Sequence, residues 1–173
     1  MTVKRGKTRI VIVLGKIAIK LPRLYLLPLL RSFIWHINKS RKTLKLFLKR
    51  ELPRYLLRGI ICNWIEFTFY ENSRLHILAA TYFSLFGLIN IQSAEGVPLE
   101  MEDVDLWVQL FGLTNEAVWG DSHAFAESDN FIVANGKIQM VDYGSRNTQK
   151  VLLKWGNKMQ DNFNLSFKRN YSK

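Results

Sequence analysis

The feature that most constrains this chain is a predicted β-hairpin in its last third. The apolar runs 131–133 and 138–141 flank the tetrapeptide Ala134-Asn135-Gly136-Lys137. Asn-Gly is the preferred pair for a type I′ hairpin turn, in which both central residues take a positive φ. Because a hairpin brings its two open ends together, we expect Asn130, before the first strand, to lie at the same end as Asp142, after the second.

Two further strand pairs are predicted earlier in the chain. Residues 9–13 and 17–20 are β-branched runs on either side of the turn Gly15-Lys16. Residues 81–86 and 88–92 are rich in aromatic and branched side chains and are separated by Gly87. Such runs around a short glycine-containing turn are typical of antiparallel strands.

Helical periodicity fills the intervals between these strands. The basic segment 24–60 is predicted to be helical, with Pro53 breaking or restarting the helix, and further helices are predicted over 61–77 and 104–113. Strands, helix, strands, helix, loop and hairpin form the order of an α+β domain. A chain of 173 residues, 48% of them hydrophobic, can bury one core.

Four polar residues fall in a fixed order along these elements. Lys20 ends the strand Ile17-Ala18-Ile19-Lys20, Glu66 lies in a following helix, Asn130 precedes the hairpin, and Asp142-Tyr143-Gly144 follows it. This order resembles the protein-kinase signature set, namely V-A-I-K, the helix-C glutamate, the catalytic-loop asparagine and D-F-G. The block 128–144 is also similar to that of aminoglycoside-phosphotransferase-like enzymes.

The resemblance implies a role for each residue and two cofactors, ATP and Mg²⁺. Lys20 would place its charge beside the α- and β-phosphates, and Glu66 would hold it by a charge-assisted hydrogen bond. Asn130 and Asp142 would bind Mg²⁺ through amide and carboxylate oxygens, which are the hard ligands this ion prefers. All four residues would then border one nucleotide site.

The catalytic base departs from the kinase pattern. Kinases place an aspartate five residues before the metal-binding asparagine, and Phe125 stands at that position here. Gly120-Asp121-Ser122-His123 resembles the G-D-L-H start of the aminoglycoside-phosphotransferase catalytic loop, with extra residues before Asn130. The base is therefore either Asp121 or lost.

Two other parts of the pattern are reduced. No G-x-G-x-x-G precedes Lys20, so one strand and the phosphate-covering loop are expected to be absent, with the basic stretch 4–9 supplying point charges instead. The short segment after Asp142 leaves no room for a large helical lobe. The resemblance therefore implies an α+β, protein-kinase-like fold with a reduced N-lobe sheet and a strongly truncated C-lobe, as in small bacterial or phage effector-type kinases.

On this basis residues 1–173 are predicted to form a single kinase-like domain. The N-lobe strands are expected at 8–23 and 78–97, and the basic helical insertion at 24–60. The helix-C equivalent is expected at 61–77, the catalytic-loop and metal-loop region at 98–145, and the basic tail at 146–173.

Charge is segregated along the chain, whose formal net charge is +11. Residues 1–60 hold 16 Lys and Arg against one acid, whereas residues 61–145 hold two against 12 acids. Such asymmetry is typical of contact with an acidic partner, nucleic acid or anionic membrane. The basic segment 24–60 is accordingly either a solvated amphipathic helical pair or the contact surface for a protein substrate or partner, for nucleic acid or for anionic lipid.

Neither a signal peptide nor a transmembrane segment is predicted, since no uninterrupted apolar run approaches the roughly 18 residues that span a bilayer. The single cysteine, Cys62, excludes a disulfide framework. The expected location is cytoplasmic, in a bacterium or in a host cell if the chain is an effector.

Three functions are compatible with this sequence. The first is an ATP- and Mg²⁺-dependent phosphotransferase, a minimal protein kinase acting on a protein hydroxyl. The second is a catalytically impaired pseudokinase that serves as an interaction or regulatory module, as Phe125 and the missing glycine loop suggest. The third is a basic protein that binds nucleic acid or a membrane surface.

Overall fold

Five antiparallel strands form the larger of two sheets in the computed structural model, which describes residues 1–6, 8–23 and 26–167. The strand order is β1-β2-β3-β5-β4, and the strand bounds are Thr2–Arg5, Arg9–Leu14, Ile17–Pro22, Thr81–Leu85 and Ile89–Ser93 for β1 to β5. The two predicted strand pairs are present. The expected absence of one strand is wrong, because β1 pairs along β2 from Thr2 opposite Val13 to Arg5 opposite Ile10.

Strand β1 was not predicted because its sequence, Thr-Val-Lys-Arg, carries no apolar alternation. All four of its residues are exposed, so hydrogen bonding to β2 rather than burial holds it in the sheet. An edge strand with charged side chains is a common solution in natural sheets, since the charges discourage pairing with other chains. Sequence patterns that depend on burial therefore miss it.

Three helical segments and a long helix connect β3 to β4. They comprise α1 (Leu26–Lys39), α2 (Arg41–Leu46), a π-helical turn (Phe47–Glu51) and α3 (Leu52–Ser73). The Ser40 hydroxyl accepts the Thr43 N–H at 3.2 Å and caps α2. The predicted boundary between residues 60 and 61 is wrong, because α3 is continuous across it. The backbone stays helical from Arg41 to Ser73, and Pro53 directly follows the π-helical turn, where its missing N–H interrupts the regular helical hydrogen bonding without ending the helix.

A second, three-stranded sheet and three helices complete the fold. The sheet contains β6 (Val97–Pro98), β7 (Phe131–Ala134) and β8 (Lys137–Met140) in that order, and the helices are α4 (Asp103–Leu113), α5 (Ser122–Phe125) and α6 (Arg146–Asn162). Two short 3₁₀ turns, 117–121 and 128–130, precede α5 and β7. The predicted hairpin is confirmed, with φ of 52° at Asn135 and 74° at Gly136, as a type I′ turn requires.

The main core lies between the second sheet, α4 and α6. Its fully buried members include Leu106 and Leu110 of α4, Met140 of β8, and Leu152 and Met159 of α6. Helix α6 therefore contributes to the core, so that the predicted basic tail, 146–173, includes a packed helix. Residues 168–173 lie outside the described part. The predicted α+β class is confirmed.

Among the residues described, no helix combines the length and apolar character that a membrane crossing needs.

Candidate functional site

The strand lysine and the helix glutamate form a buried ion pair. Lys20 Nζ in β3 lies 2.6 Å from Glu66 Oε1 in α3. The exposed fractions of the two side chains are 4% and 0%. Lys20 Nζ also donates a hydrogen bond to the main-chain oxygen of Val141, the residue before Asp142. The structure thus brings Lys20, Glu66 and the Asp142 segment together.

A second buried cation, Arg9 at the start of β2, joins this pair to Asp142. One guanidinium nitrogen donates to Glu66 Oε2 and the other to Asp142 Oδ1. Glu66 therefore accepts Lys20 on one oxygen and Arg9 on the other. The Arg9 side chain is 7% exposed and that of Asp142 is 50% exposed, so Asp142 is the solvent-facing end of the group. We call Arg9, Lys20, Glu66 and Asp142 the charged cluster.

The register of the first hairpin explains why two cations share one face of the sheet. Val11 lies opposite Lys20, and Arg9 lies opposite Pro22. Alternate residues of a strand point to the same face, and so do directly opposed residues. Arg9, Val11 and Lys20 consequently face the same side, which is the side that α3 covers.

Asn63 attaches α3 to this face of the sheet. Its side-chain nitrogen donates to the main-chain oxygens of Lys20 and Gly87 at 3.2 and 2.9 Å, and its side-chain oxygen accepts from Arg9 at 3.4 Å. Residues three apart lie on one side of a helix, so Asn63 and Glu66 point at the sheet together. Asn63 is fully buried, and its contacts orient the strand that carries Lys20.

The segment Asp142-Tyr143-Gly144 packs against α3 directly after the hairpin. Tyr143 is fully buried, and its hydroxyl lies 2.7 Å from Thr81 Oγ1. Gly144 approaches α3 so closely that a Cβ at this position would stand 3.1 Å from the main-chain oxygen of Cys62. The buried ring and the close approach fix the point at which Asp142 leaves the sheet.

Asn130 lies next to the Asp142 segment, as the hairpin predicts. The Val141 N–H donates to the main-chain oxygen of Asn130 at 2.9 Å. The Asn130 side-chain nitrogen donates to the main-chain oxygen of Ala124 at 3.1 Å. This contact leaves the amide oxygen as the atom of Asn130 suited to a cation.

Asp121 lies at the N-terminus of α6 and hydrogen-bonds to it. Its Oδ2 accepts from Ser145 Oγ at 2.7 Å, from Thr148 N–H at 3.1 Å and from Thr148 Oγ1 at 2.6 Å. A carboxylate at this position stabilises a helix through its free N–H groups and through the macrodipole. Asp121 therefore caps α6, and its role as catalytic base stays a prediction. Phe125, at the alternative position, is fully buried.

Burial and charge act in opposite directions on the charged cluster. Burial lowers the pKa of Lys20 below its ordinary value, although the neighbouring Glu66 carboxylate opposes this shift. Burial would raise the pKa of Asp142, but the positive charges of Arg9 and Lys20 outweigh it, so that this pKa is lowered. Attraction to Glu66 and Asp142 raises the pKa of Arg9 despite burial.

The oxygen atoms at the open end of the hairpin can bind Mg²⁺ only if another bound molecule supplies further oxygen ligands. Asn130 and Asp142 each offer an oxygen, and Mg²⁺ in such sites takes its other ligands from water and substrate phosphates. Within the described residues, no group of three or more His, Cys, Asp and Glu side chains lies close enough to hold a metal. A metal here would therefore arrive with a phosphate ligand, and it would meet Arg9 already bound to Asp142.

Sequence reasoning located Lys20, Glu66, Asn130 and Asp142 but gave Arg9 no individual role. Arg9 was included only as one charge of the basic stretch 4–9. The signal that identifies it is the two-residue turn Gly15-Lys16, because this turn sets the register and hence the face of every residue in β2.

Comparisons with models of known protein families, with curated proteins and with solved structures find no match to this chain.

Proposed function

We propose that the chain binds Mg²⁺–ATP and transfers the terminal phosphoryl group to a protein hydroxyl, as a small protein-kinase-like enzyme. The observation that carries this proposal is the buried Lys20–Glu66 pair beside Asp142, which is the half-exposed end of the charged cluster. A lysine fixed by a helix glutamate, next to an Asn-Asp pair at a hairpin end, is the arrangement that positions nucleotide phosphates in kinases.

The free-energy cost of burying charged side chains indicates that the charged cluster has a functional role. Replacing a buried ion pair by well-packed apolar residues is often neutral or stabilising. A fold that needed only stability at this position would be served as well by apolar side chains. Clustered charged groups with shifted pKa values that reach solvent at one point are instead typical of functional sites.

Each residue then has a defined task in the proposed reaction. Lys20, held by Glu66, attracts phosphate oxygens, and Asn130 and Asp142 would hold Mg²⁺. When bound, this ion would neutralise charge on the transferred phosphoryl group. Asp121 would accept the proton of the attacking hydroxyl.

A second candidate function is a pseudokinase-like interaction module. Two observations favour it. Arg9 donates to the Asp142 carboxylate that the metal would need, and Asp121 Oδ2 is occupied by three hydrogen bonds from α6. In this function the cluster would be a structural support, and the chain would act through a partner.

The test is calorimetry of ATP binding with and without Mg²⁺, on the wild type, Asp142→Asn and Lys20→Met. The matched controls are Lys16→Met and Asp161→Asn, whose side chains are 81% and 60% exposed in surface ion pairs. Loss of one charged contact should weaken binding at least about tenfold, whereas the controls should bind as the wild type does. Absence of metal-dependent binding by the wild type at millimolar nucleotide would exclude the enzymatic proposal and leave the interaction module.

Turnover is tested separately by incorporation of the γ-phosphate into the chain itself or into a generic protein acceptor such as casein. Asp142→Asn and Lys20→Met should abolish it while circular dichroism shows an intact fold. Incorporation that both variants retain would show that another site or a contaminant is responsible.

A further inference from the structure

Helices α1 and α2 and the first four residues of the π-helical turn, together residues 26–50, present both apolar and basic side chains to solvent. We call the exposed residues of this segment the basic helical patch. All seven Lys and Arg of residues 26–50 are exposed, and the first acid after them is Glu51, the last residue of the π-helical turn. A solvated helical face usually mixes charges of both signs, so a patch with cations alone needs a separate explanation.

Helix α1 carries an apolar stripe that the protein does not cover. Leu30, Ile34 and Ile37 have exposed fractions of 57%, 50% and 48%. Their spacing of four and then three residues places them on one side of the helix. The side that packs on the protein is a different one, since Phe33 and His36 contact the buried ring of Phe47 at centroid distances of 6.0 and 4.8 Å.

An exposed tryptophan lies across Arg31 from this stripe on the helix surface and is paired with a lysine. Trp35 is 53% exposed, and Lys39 Nζ lies 4.4 Å from its ring centroid. Tryptophan with lysine beside it is typical of segments that lie at a membrane–water boundary, where the ring meets the acyl region and the amine meets headgroups.

The apolar character continues into the next segment together with most of the cations. Leu46 and Leu48 are 47% and 44% exposed. Arg41, Lys42 and Lys45 stand around them on α2. Apolar and cationic side chains are therefore interleaved across the whole patch rather than separated into two surfaces.

From this composition we propose that the basic helical patch binds the surface of a membrane rich in anionic phospholipid. Three kinds of partner attract cations, and the exposed apolar residues distinguish them. Protein interfaces are depleted of lysine, and nucleic-acid interfaces are more polar than protein interfaces, so that a stripe of exposed isoleucine and leucine is unusual in them. An anionic bilayer accepts both, because apolar side chains enter the headgroup boundary while Lys and Arg contact phosphates.

The dimensions of α1 fit binding in the plane of the membrane. Its 14 residues extend about 21 Å at 1.5 Å per residue, and Arg31 lies in its middle. The helix would rest on the surface with Leu30, Ile34 and Ile37 inserted and the cations at headgroup level.

The test is co-sedimentation with large unilamellar vesicles of phosphatidylcholine and phosphatidylglycerol in equal parts, with pure phosphatidylcholine vesicles for comparison. The wild type should bind the anionic vesicles and not the neutral ones. Lys42→Ser with Lys45→Ser should weaken binding by about 30-fold, and Ile34→Ser with Ile37→Ser by about tenfold. Lys150→Ser with Leu153→Ser, exposed positions of the same types on α6, should change it less than twofold.

Tryptophan fluorescence reports insertion directly. Vesicles should shift the emission to shorter wavelength, and this shift should be lost in Trp35→Phe but kept in Trp119→Phe, which removes a tryptophan that is 70% exposed outside the patch. The proposal is overturned if the wild type does not sediment, or if the isoleucine variant binds as tightly as the wild type. It is equally overturned if a DNA or RNA duplex at the same phosphate concentration competes the protein off the vesicles, because that outcome identifies a nucleic-acid surface.

Discussion

Removal of the Glu66 charge should be among the most destabilising conservative changes in this chain. Glu66→Gln keeps the shape of the side chain but removes the anion that holds two buried cations, Lys20 Nζ on Oε1 and Arg9 on Oε2. The Gln amide can still accept one hydrogen bond, yet its NH₂ group would face a positive charge. Two cations with 4% and 7% exposed side chains would then share only the half-exposed Asp142.

The magnitude follows from the cost of breaking a buried ion pair, which is about 3–5 kcal/mol when one partner is removed. Small domains have a total free energy of unfolding of about 5–15 kcal/mol, so Glu66→Gln should lose a substantial part of its stability. Lys20→Met should cost less, about 1–3 kcal/mol, because Arg9 still neutralises Glu66. The double variant should be less destabilised than the sum of the single ones, since the pair shares one network.

The assay is urea unfolding followed by far-ultraviolet circular dichroism at neutral pH. The matched control is Glu71→Gln, on the same helix, whose carboxylate pairs with Arg74 at 2.5 Å with both side chains more than a third exposed. A surface pair of this kind contributes about 0–1 kcal/mol. If Glu66→Gln lost no more stability than Glu71→Gln, the charged cluster would not be the buried network described above.

Three further expectations concern the residues around this cluster. Asp121→Ala should lower the free energy of unfolding by about 1–2 kcal/mol, and Asp121→Asn should lower it by less, since an amide oxygen can still cap α6. If Asp121 is also the catalytic base, Asp121→Asn should lose turnover while staying stable. The pKa of Asp142 is lowered in the folded state, so the stabilising contribution of its carboxylate is complete above the unfolded pKa of about 3.9. This contribution disappears as the pH falls through the lower folded pKa. In urea unfolding measured at a series of acidic pH values, the free energy of unfolding should therefore fall less steeply for Asp142→Asn than for the wild type. Burial raises the pKa of Tyr143, so the free energy of unfolding should fall as the pH rises above the ordinary tyrosine value of about 10. Tyr143→Phe should remove this alkaline loss of stability in the same titration. At neutral pH the variant should be less stable by about 1–3 kcal/mol, because the hydroxyl contacts are lost.

The parts of the fold that the sequence predicts are those in which local chemistry and burial agree. The Asn135-Gly136 and Gly15-Lys16 turns set the hairpins, and the hairpins place Lys20 opposite Val11 and Asp142 just after β8. Strand β1 could not be predicted from burial, since its four residues are all exposed. The predicted boundary at residue 60 was wrong, because the helical periodicity continues across it. The only local signal near the start of α3 at Leu52 is the proline that follows.

The contacts of the site were harder to predict than its elements, because they depend on which faces meet. Asn63 reads in the sequence as an ordinary polar helix residue, and only its position one turn before Glu66 on the face toward the sheet gives it partners. Asp121 was interpreted from its position before Asn130, whereas the structure shows that its nearest partners, Ser145 and Thr148, come from a helix that follows in the chain. Long-range pairing of this kind leaves no periodic trace.

Arg9 decides between the two candidate functions, because it holds the carboxylate that Mg²⁺ would need. In an enzyme, a bound nucleotide brings negative charge to the cluster, so that Arg9 would turn from Asp142 to the phosphates and Arg9→Ala should weaken Mg²⁺–ATP binding at least about tenfold. In an interaction module, Arg9 replaces the metal permanently, so Arg9→Ala would release Asp142 and create metal binding that the wild type lacks. Calorimetry with Arg9→Ala, with Arg9→Lys to preserve the buried charge and with exposed Arg5→Ala as control, separates these outcomes by the sign of the change. A gain of binding would refute the enzymatic proposal, and a loss that Arg9→Lys partly restores would support it.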